Sequence, residues 1–96
     1  MNNLVLGGVV YSKRGRDNGG YYIVIKIIDD DYVMIADGEV RKIEKPKKKR
    51  KIHLKPNGEV LSKIAVKLGN NELVHNAEIR SALRIYNEKA EVKTSV

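Results

Sequence analysis

The segment Tyr21-Tyr22-Ile23-Val24-Ile25-Lys26-Ile27-Ile28 carries a single charge, and every other residue in it is aromatic or β-branched. Such side chains fit a pleated, packed surface, so the segment reads as the strongest strand of the chain. The acidic turn Asp29-Asp30-Asp31 follows, then Tyr32-Val33-Met34-Ile35-Ala36, and the two runs predict a hairpin. Asp37-Gly38 is a second tight-turn signal. Upstream, Val9-Val10-Tyr11-Ser12 is a short strand, separated from Tyr21 by the turn-rich loop Lys13–Gly20 with its three glycines. Downstream, Glu39–Glu44 reads as a further strand, stopped by Pro46, which cannot donate to a ladder. Ile52-His53-Leu54 reads as a last short one. Short strands at close spacing, with turn residues between them, predict a small barrel, whose closure would remove exposed edges.

The pattern changes after Asn57-Gly58, which is expected to end the β region. Leu61, Ile64, Ala65 and Leu68 repeat at helical spacing, with Gly69 placed as the residue that ends the helix. Asn76 is a good N-cap, followed by Glu78 in the first turn and by Ile79, Ala82, Leu83 and Tyr86 on one face. The expected organisation is a β domain over 1–56 and a helical extension over 57–96. That extension holds two short amphipathic helices, with a frayed tail from Asn87. A chain of 96 residues suits one domain with such an appendage.

Charge is concentrated rather than spread. Between Arg41 and Lys55 lie nine basic residues and one acid, Glu44, so this stretch carries +8 while the whole chain carries +7. Lys45-Pro46-Lys47-Lys48-Lys49-Arg50-Lys51 is its centre. Like charges at this spacing repel unless anions relieve them, and a polyanion is the partner that would do so. The same run could otherwise be a solvated loop, a nuclear address or a membrane-surface patch. The last is the weakest of these, because no aromatic or lipidated anchor adjoins it. The sequence has no cysteine, which excludes disulfides, thiolate metal sites and a cysteine nucleophile and suits a reducing cytoplasm. Met1-Asn2-Asn3 does not open a signal peptide, and no run of about 18 apolar residues is present to span a membrane.

Gly15-Arg16-Asp17-Asn18-Gly19-Gly20 lacks the spacing of a dinucleotide fingerprint and the Lys-Ser/Thr ending of a P-loop, and a strand follows it. The glycines are accounted for by a tight loop in which Gly19 takes a positive φ. The same loop displays Lys13, Arg14 and Arg16 for a phosphate backbone, and both roles can hold together. Tyr11, Tyr21, Tyr22 and Tyr32 lie on strands and Tyr86 on a helix. Most suit a core or a half-buried face, but Tyr21 and Tyr22 must point to opposite sides, so one of them is available to stack on an unpaired base. His53 and His75 have no i, i+4 partner, Asp29-Asp30-Asp31 reads as a solvated turn, and no nucleophile–base pair is suggested. No enzyme, metal or cofactor is expected.

Gly8-Val9-Val10, Lys13, Gly15-Arg16-Asp17, Gly19 and Tyr22-Ile23-Val24-Ile25 together resemble a KOW motif. Over Gly8 to Pro56 the resemblance narrows to the archaeal–eukaryotic large-subunit ribosomal protein family called L fourteen e. It is carried by Gly-Arg-Asp-x-Gly at 15–19, Ile27-Ile28-Asp29-Asp30, Tyr32-Val33-Met34-Ile35 and Lys51-Ile52-His53-Leu54-Lys55-Pro56. Asn76-Ala77-Glu78-Ile79-Arg80 instead resembles the tail of bacterial KOW-domain RNA-binding proteins. The resemblance implies an SH3-like barrel that binds ribosomal RNA, with Gly19 as the motif's structural glycine. It implies that Lys13, Arg14 and Arg16 on the first loop meet RNA, as does the basic arm of Lys47, Lys48, Lys49, Arg50, Lys51 and His53.

The reading that follows is a mainly β protein with helices, an SH3-like KOW barrel followed by two C-terminal helices. It would bind RNA on or near the large ribosomal subunit through those residues together with Arg41, Lys42, Lys45 and Lys55. The expected setting is cytoplasmic, with a free monomer, no membrane, and ribosomal proteins as further neighbours. The competing reading is a protein-interaction module in transcription or translation, working through Ile79, Leu83 and Tyr86 on the C-terminal helices.

Overall fold

The structure is a computed structural model and describes residues 4–13 and 20–94, with side chains as far as Asn87. In chain order the elements are β1 (Gly8–Ser12), β2 (Tyr21–Ile27), β3 (Tyr32–Ala36), β4 (Lys47–Arg50), β5 (Leu54–Val60), α1 (Ser62–Gly69) and α2 (Asn76–Thr94). A one-turn 3-10 helix, Lys51–His53, joins β4 to β5. The strands form one antiparallel sheet in the order β4-β3-β2-β1-β5.

The apolar run singled out above becomes the central strand, and both of its faces are used. On one face Val10, Tyr22, Val24, Val33, Ile35 and Leu54 pack with Leu4. On the other, Val9, Ile23 and Ala36 pack against Ile64 of α1, Val74, and Ile79 and Leu83 of α2. A strand covered on both sides has no polar face, which is why β2 reads as continuous apolar sequence rather than an alternation.

The first face needs no second layer because the sheet curls over it. In a flat sheet of five strands the two edges would lie about 19 Å apart, at ~4.8 Å per step. The 3-10 turn between β4 and β5 rises only about 2 Å per residue, so it bridges roughly 8 Å. The edges are therefore drawn toward each other around Leu54. They form no ladder with each other, and the result is an open, coiled sheet instead of the closed barrel expected. A bulge between Val24 and Lys26 in β2 and an irregularity in β5, where the four steps from Pro56 to Val60 face the two from Val10 to Gly8, supply bending of the strands.

Several expected boundaries are corrected. Glu39–Glu44 is not a strand. The Asp37 carboxylate accepts the N–H groups of Glu39 (2.9 Å) and Arg41 (2.8 Å), while Asp37 and Gly38 donate to the Arg41 carbonyl, so the segment folds back on itself. The strand lies instead in the basic run, where Lys47–Arg50 pair with Ile35 back to Tyr32. Ile52 and His53 are in the 3-10 turn, and β5 passes through Asn57-Gly58 to Val60, so the 56/57 boundary falls inside a strand. α2 is a long helix of 19 residues, and it continues past Asn87 where a frayed tail was expected. The left-handed residue after α1 is Asn71 (φ 58°), not Gly69, which is helical. Gly19, expected to take a positive φ, lies outside the described residues.

Asn76 opens α2, but its side chain does not cap the helix. Glu78 takes the N–H of His75 on one carboxylate oxygen at 3.0 Å, the acidic half of a capping box, while its own N–H closes a backbone turn onto the His75 carbonyl at 3.0 Å. Lys67 of α1 meets the other oxygen at 2.7 Å and ties the two helices. Ile79 and Leu83 are fully covered by the sheet, and Tyr86 lies against Tyr21. The residues assigned to a protein-docking surface are thus turned inward.

Candidate nucleic-acid interface

Strand alternation sorts the basic run. In β4, Lys49 pairs with Val33 and takes that residue's inner side, where it is only 8% exposed. Lys48 and Arg50 fall on the opposite side and are exposed, opposite Met34 and Tyr32. The Lys48 ammonium sits 4.6 Å above the centre of the Tyr32 ring, a cation–π contact that holds it over the sheet. Lys26, the register partner of Met34, is exposed on the same side. Lys26, Lys48 and Arg50 therefore ring Tyr32 and Met34 on the helix side of the sheet, whereas Lys47, opposite the buried Ile35, lies half-buried on the inner side with Lys49.

Lys42 and Lys45 are exposed on the 37–46 loop, and Arg41 is half-buried there. This loop is held by α2. Asn76 accepts the Ile43 N–H at 2.8 Å and donates to both Glu44 oxygens at 2.9 Å, and Arg80 donates to the Gly38 carbonyl at 3.2 Å. Gly38 (φ 79°) has no room for a Cβ, because the Asn76 carbonyl occupies its place. Glu44, the one acid of the run, is thus spent on Asn76, and that contact leads the causes holding its carboxyl below the usual range.

The 3-10 turn brings two basic segments together that are far apart in sequence. The Lys13 N–H donates to the His53 carbonyl at 2.9 Å, and the Lys51 N–H donates to the Asp31 carbonyl at 2.8 Å. Lys51 and His53 are half-buried in this turn, and Lys55 on β5 is exposed beyond it. The stem of the glycine loop therefore adjoins the basic arm. Arg14 and Arg16, expected to contact RNA from that loop, lie outside the described residues.

A row of tyrosines was not legible as a cluster. Tyr22 is the inward member of the pair, 6% exposed in the core. Tyr21 is the outward one, edge-on to Tyr11 at 5.2 Å between ring centres and 5.6 Å from Tyr86. Tyr11 pairs with Tyr21 on one side and with Lys55 on the other. An open cleft of about 540 Å³ is lined by Tyr11, Lys13, Tyr21, Lys55, Pro56 and Asn57. The signal that could have found it is the i, i+2 placement of Tyr11 and Lys13 beside an outward Tyr21.

Among the described residues no group of three or more His, Asp or Glu side chains is placed to hold a metal ion, and no helix is long and apolar enough to cross a membrane. The arrangement is a two-helix, five-stranded domain presenting cations and aromatic rings around an open sheet. No protein-family model matches the chain, and no curated protein matches it.

Proposed function

We propose that this chain is an RNA-binding protein that grips structured RNA, ribosomal RNA by the KOW resemblance, through phosphate contacts. The observation that carries the reading is the Lys13–His53 backbone bond, which joins the stem of the glycine loop to the basic arm and makes one electropositive surface of two. The order β4-β3-β2-β1-β5, with its edges drawn together by a single turn, is compatible with an SH3-like barrel that stops short of closing. Exposed Lys42, Lys45, Lys48, Arg50 and Lys55 supply charge, whereas base-reading amides are few, so shape and phosphate recognition dominate. A large-subunit, cytoplasmic setting is part of the same proposal and rests on the resemblance.

Filter binding of a structured ribosomal RNA fragment across a salt series tests this. Affinity is expected to fall linearly with salt on logarithmic axes. A salt-independent affinity, or one unchanged in the triple variant Lys48→Ala, Arg50→Ala, Lys55→Ala, would overturn it. Sedimentation of the protein with or apart from large subunits tests the ribosomal part.

A further inference from the structure

We propose that the cleft beside Tyr11 is a subsite for one unpaired nucleobase of the bound RNA, with Tyr11 as its stacking surface and Lys13 and Lys55 on the flanking phosphates. The inference rests on the RNA-binding reading and adds a requirement to it, a nucleotide outside the duplex.

The rings form a row with Tyr21 in the middle, Tyr86 on one side and Tyr11 on the other. Tyr11 is thus the outermost, and the cleft opens on it and on Tyr21 but not on Tyr86. Two members of the row are anchored without a ligand, and Tyr11 rests edge-on against the middle one. The Tyr21 N–H donates to the Asn87 side-chain carbonyl at 3.2 Å, and the Tyr86 hydroxyl is engaged by Glu59 of β5. A ring held in place loses little conformational freedom on stacking, which favours binding.

Lys13 follows Tyr11 by two residues, and Lys55 is its register partner, so both cations share its side of the sheet. Asn57 lies two residues beyond Lys55 on the same side and offers an amide to a base edge, while Pro56 closes the β5 wall. An aromatic face between two cations, with an amide in reach, matches a base flanked by two phosphates. A paired base within a helix offers no such face, because its neighbours already cover it.

The test compares two RNA hairpins that differ by one bulged nucleotide, with the fluorescent analogue 2-aminopurine at the bulge. The wild-type protein is expected to bind the bulged hairpin roughly ten- to a hundredfold more tightly, the range of one base stack, and to quench the analogue. Tyr11→Leu is expected to abolish the preference and the quenching, and Tyr11→Phe to keep both. Equal wild-type affinity for the two hairpins with no quenching would overturn the subsite while leaving RNA binding intact. Failure of both hairpins to bind would overturn the RNA-binding reading and the subsite with it. The wild-type quenching decides the matter even if a Tyr11 variant does not fold.

Discussion

The side chain of Asn76 accepts the backbone N–H of Ile43 across 33 positions of sequence, at 2.8 Å. Its amide group simultaneously meets both oxygens of Glu44. The start of α2 is thereby the clamp on the loop that carries Arg41, Lys42 and Lys45. Asn76→Ala is expected to leave the Ile43 N–H without its partner and to cost about 1–3 kcal/mol. Each kcal/mol should lower the melting temperature by about 4–8 °C in a domain of this size. Calorimetry measures the loss, and amide exchange at Ile43 should accelerate more than exchange at β2.

Gly7 and Gly58 both have positive φ, 77° and 89°, but only one of them is crowded. A Cβ on Gly7 would come within 2.6 Å of the Ala65 Cβ on α1, whereas one on Gly58 meets nothing within 4 Å. Gly7→Ala combines backbone strain with overpacking and should cost about 2–5 kcal/mol. Gly58→Ala carries the strain alone, about 1–2 kcal/mol. Urea denaturation of the two variants should separate the two contributions, and equal losses would show that α1 yields at Ala65.

Lys48 and Arg50 point away from the core, so replacing both should weaken RNA binding while leaving the fold intact. If each makes one phosphate contact, the slope of log affinity against log salt should become shallower by about 1.4 to 1.8, the spread between single strands and duplex. Lys49→Ala is the contrast. It alters a buried position facing the inner core, and its expected effect is on stability, read as a lowered urea midpoint.

Asp29, Glu44 and Glu78 all hold their protons less tightly than free carboxyls. Asp29 accepts the N–H groups of Asp31 and Tyr32 at 2.8 Å each, and Glu78 is held first by the His75 N–H and then by Lys67. A carboxyl depressed in the folded state stabilises it fully above its unfolded value, near 3.8 for Asp and 4.5 for Glu. That contribution disappears as pH falls through the lower folded values. Melting temperature should therefore decline below about pH 4.5, and Glu78→Gln should flatten the decline while lowering the plateau at neutral pH. At the other extreme, burial and Glu59 raise the Tyr86 hydroxyl above 10.0, so stability should fall again as pH passes 10.

The strands that sequence reading located are those whose side chains declare their burial. β3 has the predicted bounds, and β1 and β2 differ from theirs by one residue. β4 carried no such signal. Lys-Lys-Lys-Arg has no apolar period, and it is a strand because β3 offers an unpaired edge that its backbone completes. The same cause hid the division of the basic run, since only a register can say that Lys49 turns inward and Lys48 outward. Asn76 misled for a related reason. Its composition-level signal is a cap, but a polar loop lies within reach of its amide, and the Glu78 and Ile79 N–H groups it would accept already donate to the His75 carbonyl. The tyrosine row depends on β1, β2 and α2 converging, and no local pattern encodes that.

β4 is also the rim of the sheet, and among the described residues its outer backbone groups pair with no other strand. Such a rim is a template on which a second copy can add a strand, and a row of lysines is the usual deterrent. The charges that would attract a polyanion therefore also keep the protein from polymerising with itself. Neutralising them trades loss of binding for a tendency to form fibres or amorphous aggregate, so solution scattering should accompany every charge-removal variant.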